Sequence, residues 1–457
     1  MSAPRVAAPS AEEVPLVTEN EVERAAFCLR GKKTAPGPDG VPAKLMAIAT
    51  SQMGERFRDL FSTCLTSERF PKPWKEGQLC LLRKEGRPVD SPSAYRPIVL
   101  LDEVGKMFER VLAARINRHL STIGPDIADA QFGFRAERST VDALSRLKDL
   151  VKEAMDAGDG LLGVSFDIAN AFNSIPHSTI LEALRFHGVP SYLRGLLADY
   201  LRDRTVLLVD KTGQLRRYGV ESGLTVALQK TEAVFFHGPR QHQPPDAYIH
   251  VEGVRIGVQP QMKYLGIVLD SKWHFSAHFS GLSTRLMKTA GALSWLLPNI
   301  GRPGDQCRRL YAGILKSMAL YGAPIWAVSL CRRRNAAAIR RPQRVIAQRV
   351  ARAYRTVSFA AACVLAGTPP WELEAWVLAR VYDWKAAQRA LDRHPDPIER
   401  EEVREEAREI TTGHWAEDLA SATFGRRTLD AIGPVLNGWL DRRHGCLSMR
   451  LVQHRIS

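Results

Sequence analysis

Staples are scarce in this sequence. Its seven cysteines are scattered, odd in number and without one C-x-x-C pair, which argues against a disulfide framework and a zinc finger and leaves them as small buried hydrophobes. No apolar run approaches the ~18 residues that cross a bilayer as a helix. The opening MSAPRVAAPSAEEV has no apolar core behind its basic start, so no secretory signal is read there and a cytosolic or nuclear home is expected. Neither an internal repeat nor a low-complexity tract occurs. What is present, 45% hydrophobic residues in 457, suffices for packed cores and is too much for one. About three domains follow from ~150 residues each.

Acid is also short. With 64 Lys+Arg against 49 Asp+Glu the formal net charge is +15, a balance that suits phosphate backbones and that also keeps a protein soluble. Position separates the two. Nine arginines and no acid stand between Arg332 and Arg355. Pro342 suits the first turn of a helix, and Ile346, Val350 and Tyr354 recur at i, i+4 and i+8 as a core-facing stripe with Arg344, Arg352 and Arg355 beside it. A solvated face would intersperse acids, so this stretch is expected to meet nucleic acid. The stretch from Pro397 is the contrast: Val403, Ala407 and Ile410 form its stripe, and Glu401 with Arg404, then Glu405 with Arg408, have the i, i+3 spacing of surface ion pairs.

Residues 1 to 20, rich in Ala, Pro and Glu, read as a loose tail. Helical periodicity runs from Glu21 to Leu29, Lys44 to Thr66, Val104 to Leu120, Thr179 to Phe186 and Ser191 to Tyr200, interrupted by the turn-former loop Thr34-Ala35-Pro36-Gly37-Pro38-Asp39-Gly40. Short strands are expected at Gln78 to Leu82, Leu161 to Phe166, Thr205 to Val209, Gln214 to Val220, Thr225 to Leu228, Ala247 to Val251 and Tyr264 to Leu269. After Phe275 nearly everything reads as helix, including a segment on which His274 and His278 share a face without a third ligand nearby. Trp371 and Trp376 in that half read as packing residues. The fold class is α+β.

One block carries a candidate ligand. In Ser165-Phe166-Asp167-Ile168-Ala169-Asn170-Ala171-Phe172-Asn173 a carboxylate ends an apolar strand, where a rigid Asp could hold Mg²⁺ beside a nucleotide; the block alone fits a helix N-cap better. Its surroundings reverse that balance. TAPGPDGVPAKL from Thr34, LLRKEGRPVDSPSAYRPIVLLDEVGKMFERVL from Leu81, QFGFRAERSTVDAL from Gln131, VSFDIANAF from Val164, GLTVALQKTEAV from Gly223, KYLGIVLD from Lys263 and LYGAPIW from Leu320 follow in this order. Together they closely resemble the reverse transcriptase of non-LTR (LINE-type) retrotransposons of insect type.

The resemblance implies a right hand. Fingers would span residues 21–160, a palm 161–270, a helical thumb 271–375 and a C-terminal helical extension 376–457. It implies an RNA template, a DNA primer or target, dNTP substrates and Mg²⁺. Carried over, Asp167 would be the first metal ligand and the Ile168 carbonyl a second contact to the nucleotide-bearing metal. Phe172 would be the steric gate that leaves no room for a ribose 2′-hydroxyl. Lys84 and Arg96 would hold the triphosphate, the Arg through its fork, and Lys230 would protonate the leaving pyrophosphate.

The pattern then breaks. The family continues with a Pro-Gln-Gly-Ser-type loop and a Tyr-Ala-Asp-Asp hairpin; this chain passes from RRYGVE through Ser222 directly to Gly223, and it contains no Asp-Asp dipeptide. Two metal ions ~3.5 to 4 Å apart need several carboxylates around them, and Asp210, Glu221 and Glu232 are poor substitutes for the missing ones. The expectation is a truncated palm with an incomplete catalytic centre, the strand before Asp167 losing neighbours and exposing an edge. A non-catalytic nucleic-acid binder and a wrongly spliced gene model are the alternatives.

Overall fold

The computed structural model describes residues 13–86, 88–91, 94–169, 175–209, 215–218, 225–226, 228–238, 246–301 and 303–441. Helices alternate with short strands in two compact units, Met1–Asp129 with Asp167–Ala227, and Ala130–Phe166 with Leu228–Ser457. The chain crosses between them after Asp129, Phe166 and Ala227. The first unit opens with α1 (Glu19–Phe27), α2 (Ala43–Thr66), β1 (Glu76–Arg83), β2 (Tyr95–Leu100) and α3 (Glu103–Thr122). The second takes α4 (Thr140–Asp156) and β3 (Leu161–Ser165). The chain returns to the first for β4 (Ile168–Ala169), α5 (His177–Phe186), α6 (Ser191–Leu201), β5 (Thr205–Val209), β6 (Leu215–Tyr218) and β7 (Thr225–Val226).

In the first unit the last residues of the expected loose tail are packed and helical. Val17 is buried, and Thr18 and Glu21 form a reciprocal capping box that starts α1. The buried Arg115 of α3 then ties the segment down: its guanidinium pairs with Glu21 at 2.8 Å and donates to the carbonyls of Pro15 and Leu16 at 2.7 and 2.9 Å. A buried guanidinium needs acceptors for its donors, and these are the ones it finds. Around it the core is aromatic. Phe61 and Phe108 stack with centroids 4.9 Å apart, and Phe70 meets Tyr200 edge-on at 4.8 Å. Asp199 accepts from Lys75 at 2.9 Å and from the Phe70 amide at 2.8 Å; burial raises its pKa, but these two partners override burial and hold it below the usual carboxylate value.

The sheet of this unit runs β2-β1-β5-β6, with β1 antiparallel to β2 and parallel to β5. Pro97 sits on the outer strand opposite Leu81. The Lys84 amide donates to the Ala94 carbonyl at 2.7 Å, so hydrogen-bonded pairs fall at every second residue from there, and Leu81 with Pro97 is a non-bonded pair. The proline therefore costs the ladder nothing.

The rest of the second unit is β8 (Glu232–Phe236), β9 (Tyr248–Val251), β10 (Val254–Gln259), β11 (Gln261–Tyr264) and β12 (Ile267–Asp270), followed by α7 (Ser276–Leu296), α8 (Asp305–Ala319), α9 (Ala323–Trp326), α10 (Arg333–Val350), α11 (Phe359–Ala366), α12 (Trp371–Ala390), α13 (Pro397–Ser421), α14 (Arg426–Ile432) and α15 (Leu436–Leu440). One core joins them through Phe275, Phe279, Trp326, Ile339, Cys363, Trp371 and Trp415. Among the described residues no single helix is long and apolar enough to cross a membrane. The sheet order is β3-β8-β10-β9, which leaves β3 an end strand among the described residues.

Three expectations are corrected here. The single strand from Tyr264 to Leu269 is a hairpin, because Leu265 and Gly266 both take positive φ (46° and 85°) and close β11 onto β12 with Tyr264 opposite Ile267; two such residues make the tight turn that suits strand twist. Pro342 lies inside α10, not in its first turn. The helix begins earlier because the buried Asn335 amide is anchored to the carbonyls of His274 and Ser329 at 3.0 and 2.9 Å. Tyr354 falls beyond the helix end and is exposed, so the core stripe is Ile339, Ile346 and Val350.

The aromatic cluster gives a test. Phe108→Ala should lower the stability of the first unit by about 3–5 kcal/mol, read as an earlier urea transition; a loss below about 1 kcal/mol would show that the cluster is not its main support.

Candidate active site

The loop Thr34 to Gly40 is held by a single carboxylate. Asp102, at the start of α3, accepts from the Asp39 amide at 3.1 Å, and a Cβ on Gly37 would stand 2.5 Å from the Asp102 backbone nitrogen. Only glycine permits that approach. Burial raises the Asp102 pKa, and the neighbouring Asp39 charge adds to it. Both motifs therefore meet in the first unit as structural partners.

The β1–β2 hairpin brings two nominated cations together. Leu82 faces Arg96 across the ladder, and Lys84, two residues beyond Leu82, shares its face. Lys84 and Arg96 are thus diagonal neighbours, about 7–8 Å apart at their Cα atoms. Arg96 is exposed and Lys84 half-buried. Two cations on one face of a rigid hairpin can grip adjacent phosphate oxygens.

Asp167 lies between β3 and β4, separated from the end of β3 by Phe166, and it is half-buried. Ile168, 46% exposed, opens β4 and pairs with Val226. Phe172, Asp210 and Glu221 lie outside the described residues. Lys230 ends a short turn at Leu228–Lys230 and is exposed; it belongs to the second unit and Asp167 to the first. Glu232 is already committed, its carboxylate accepting the Lys263 amide at 2.7 Å and fastening β8 to β11. Among the described residues no three His, Cys, Asp or Glu side chains stand together as metal ligands. The donors described do not amount to a two-magnesium set, which asks for several carboxylates at one point.

The nominated arginines of the second unit divide. Arg344 donates to the carbonyls of Val357 and Arg355 at 2.9 and 3.2 Å. Arg352, in a left-handed conformation at φ 54°, donates to Gly301 and Pro303 and pairs with Asp305 at 3.3 Å. Both fasten loops of their own unit. Arg355 is exposed, as are Arg332, Arg333, Arg334, Arg340 and Arg341 along α10.

Of the two histidines, His278 is buried and accepts the Val268 amide at Nδ1, amid Phe275, Phe279 and Trp326. It is a core residue. Burial first, then the charge of Arg285, lowers its pKa to about 4. Trp371 is buried as expected, whereas Trp376 is 39% exposed.

Sequence reasoning passed over one cluster. Asp142, the third residue of α4, caps Ser139 and accepts from Tyr382 at 3.0 Å and from Arg389 at 2.5 Å. Burial raises its pKa, but the hydrogen bonds from Arg389 and Ser139 together outweigh burial and lower it. It closes the floor of a cavity of about 320 Å³ lined by cations from α12 and α13. The available signal was Ser139-x-x-Asp142, a capping box in the wake of Arg135 and Arg138.

Residues 82–220 match the family model described as reverse transcriptase (RNA-dependent DNA polymerase). The chain is 24% identical over 465 residues to the Retrovirus-related Pol polyprotein from type-1 retrotransposable element R1 of Bradysia coprophila, covering 85% of this chain and 45% of that protein. It is 25% identical over 387 residues to the RNA-directed DNA polymerase from mobile element jockey of Drosophila melanogaster, covering 68% and 42%. Over 198 residues it is 28% identical to the Pol polyprotein of element R2 from Nasonia vitripennis, covering 43% and 18%. The chain thus spans less than half the length of these relatives.

His278 supplies a pH test. Its folded pKa of about 4 lies below the ordinary 6.5, so the unfolded chain takes up the proton first: the stability from the neutral ring is present above ~6.5 and is lost as pH falls toward about 4. His278→Leu should lose less stability than the parent over that window in urea titrations, and equal losses would remove His278 as the cause.

Proposed function

We propose that this chain, whose residues 82–220 form a reverse transcriptase domain of the non-LTR retrotransposon kind, holds RNA template, DNA primer and incoming dNTP in a right-handed frame but does not extend the primer. The β1–β2 hairpin is the fingers element that meets the triphosphate through Lys84 and Arg96. By the family resemblance Asp167 and the Ile168 carbonyl would hold the nucleotide-bearing Mg²⁺, Phe172 would exclude the 2′-hydroxyl and Lys230 would protonate pyrophosphate. The exposed arginines along α10 form the thumb face against the template–primer duplex. The site of action is nuclear or cytoplasmic.

One observation carries the inactive half of this reading: the 457 residues contain no Asp-Asp dipeptide. The primer 3′-oxygen must be activated by one ion while a second neutralises the triphosphate. Asp167 alone offsets little of the repulsion between them, and Glu232 is occupied by the Lys263 amide. Phosphate grip needs no such cluster, since guanidinium forks and ammonium groups provide it directly. Binding and chemistry therefore come apart in this chain, and a transcript that restores the Gln-Gly loop and the Asp-Asp pair between Val220 and Gly223 would rejoin them.

Primer extension on poly(rA) with the purified chain should give incorporation no higher than its Asp167→Ala variant. Signal clearly above that control would sink the proposal. Replacing exposed Arg333, Arg334 and Arg355 with Gln should weaken template–primer binding and reduce the slope of log K against log salt by about 0.9 for each phosphate no longer neutralised, whereas an unchanged slope removes this face from the interface.

A further inference from the structure

We infer that the second unit carries a groove for the phosphate backbone of a single-stranded polynucleotide, set between the loop that precedes α4 and the facing parts of α12 and α13. None of its residues belongs to the set nominated for polymerase chemistry, and the inference rests on the reading that this chain handles nucleic acid.

The cavity over Asp142 is crowded with cations. Arg138 comes from the loop, Lys385 and Arg389 from one face of α12, Arg393 from the turn beyond it and Arg400 from the first turns of α13, against the two carboxylates Glu137 and Asp142. Asp142 is engaged by Ser139, Tyr382 and Arg389, and Glu137 lies 3.4 Å from His394. Five cations against two carboxylates leave the cavity an excess of positive charge. Burial, then Arg400 and Arg389, lower the pKa of Lys385, the sign of cations repelling one another in a partly dry place. The Arg400 Nε is buried and meets no hydrogen-bond partner among the described residues. A buried guanidinium donor without an acceptor is costly, and a phosphate oxygen relieves it together with the repulsion.

The shape favours a chain over a lone anion. A second cavity of about 570 Å³ shares Glu137, Arg138, Asp142, Tyr382, Arg389 and His394 with the first and extends it past Phe132, adding Arg135 and Arg146 against one further carboxylate, Asp149. The Arg138 guanidinium lies 5.7 Å from the Phe132 ring centroid. A basic track with an aromatic face beside it is the arrangement that seats consecutive phosphates and one stacked base. A duplex keeps its bases inside and offers Phe132 nothing to stack on, so the occupant is a single strand.

Fluorescence anisotropy of a labelled oligouridine of ~16 nucleotides with the full chain, across a salt series, tests this. Arg393→Gln with Arg400→Gln should weaken binding about tenfold and lower the salt slope by about 1.4, which is ~0.7 for each of two phosphates on a single strand. Because Arg400 is partly buried, Arg138→Gln with Arg393→Gln, both at exposed positions, serves as the second pair with the same expectation. Phe132→Ala should weaken binding several-fold while leaving the slope unchanged, as removal of stacking requires. Parent-like affinity and slope in both pairs overturn the groove. Template–primer duplex binding separates the two ideas: it should be unaltered in these variants, and a parent chain that fails to bind the duplex refutes the wider reading instead.

Discussion

Two divalent cations held ~3.5 to 4 Å apart repel each other more strongly than any other pair of groups in a polymerase, and only a cluster of carboxylates makes their approach tolerable. That constraint governs what this chain can do. Asp167 lies just beyond β3, where such a cluster would begin, and Glu232, a carboxylate within the next motif, accepts the Lys263 amide at 2.7 Å. Phosphate contacts obey a looser rule. A cation on a hairpin face or a helix binds an anion without help from its neighbours, so the phosphate grip proposed for Lys84, Arg96 and the exposed arginines of α10 does not depend on a metal cluster.

A second theme is how much of the basic excess is spent internally. Arg308 is fully buried; burial first, then Arg352, lowers its pKa. Its guanidinium gathers the carbonyls of Pro298, Pro303 and Arg349. Arg115, Arg344 and Arg352 do likewise for their own loops. A planar fork with five donors closes irregular backbone well. The net charge of +15 therefore overstates what is offered to a ligand, and the arginines open to the proposed binding are those on exposed faces and around the cavity over Asp142.

Local chemistry made some elements readable and hid others. Helix α2, expected from Lys44 to Thr66, begins one residue earlier, because apolar periodicity and the preceding proline both announce it. The β1 strand was legible from Gln78 to Leu82, and the pairing of Leu82 with Arg96 that sets Lys84 diagonal to it was not. The strand at Val254–Gln259 went unread because its apolar alternation is interrupted by Arg255 and Gly257. The β11–β12 turn was missed since Leu265 is an unusual residue at positive φ; Gly266 was its one signal. Roles set by distant carbonyls, as for Arg344 and Arg352, leave no trace in spacing. The basic groove was equally hidden, since its cations come together only when the stretches around residues 138 and 390 fold onto each other.

The central claim concerns how many metal ions the chain can seat beside a nucleotide. Electron paramagnetic resonance of Mn²⁺ in the complex with template, primer and dNTP counts them directly. The account predicts isolated Mn²⁺, the ion that arrives with the triphosphate, with no coupled partner. A spin-coupled pair at ~3.5 to 4 Å in this polypeptide would contradict it.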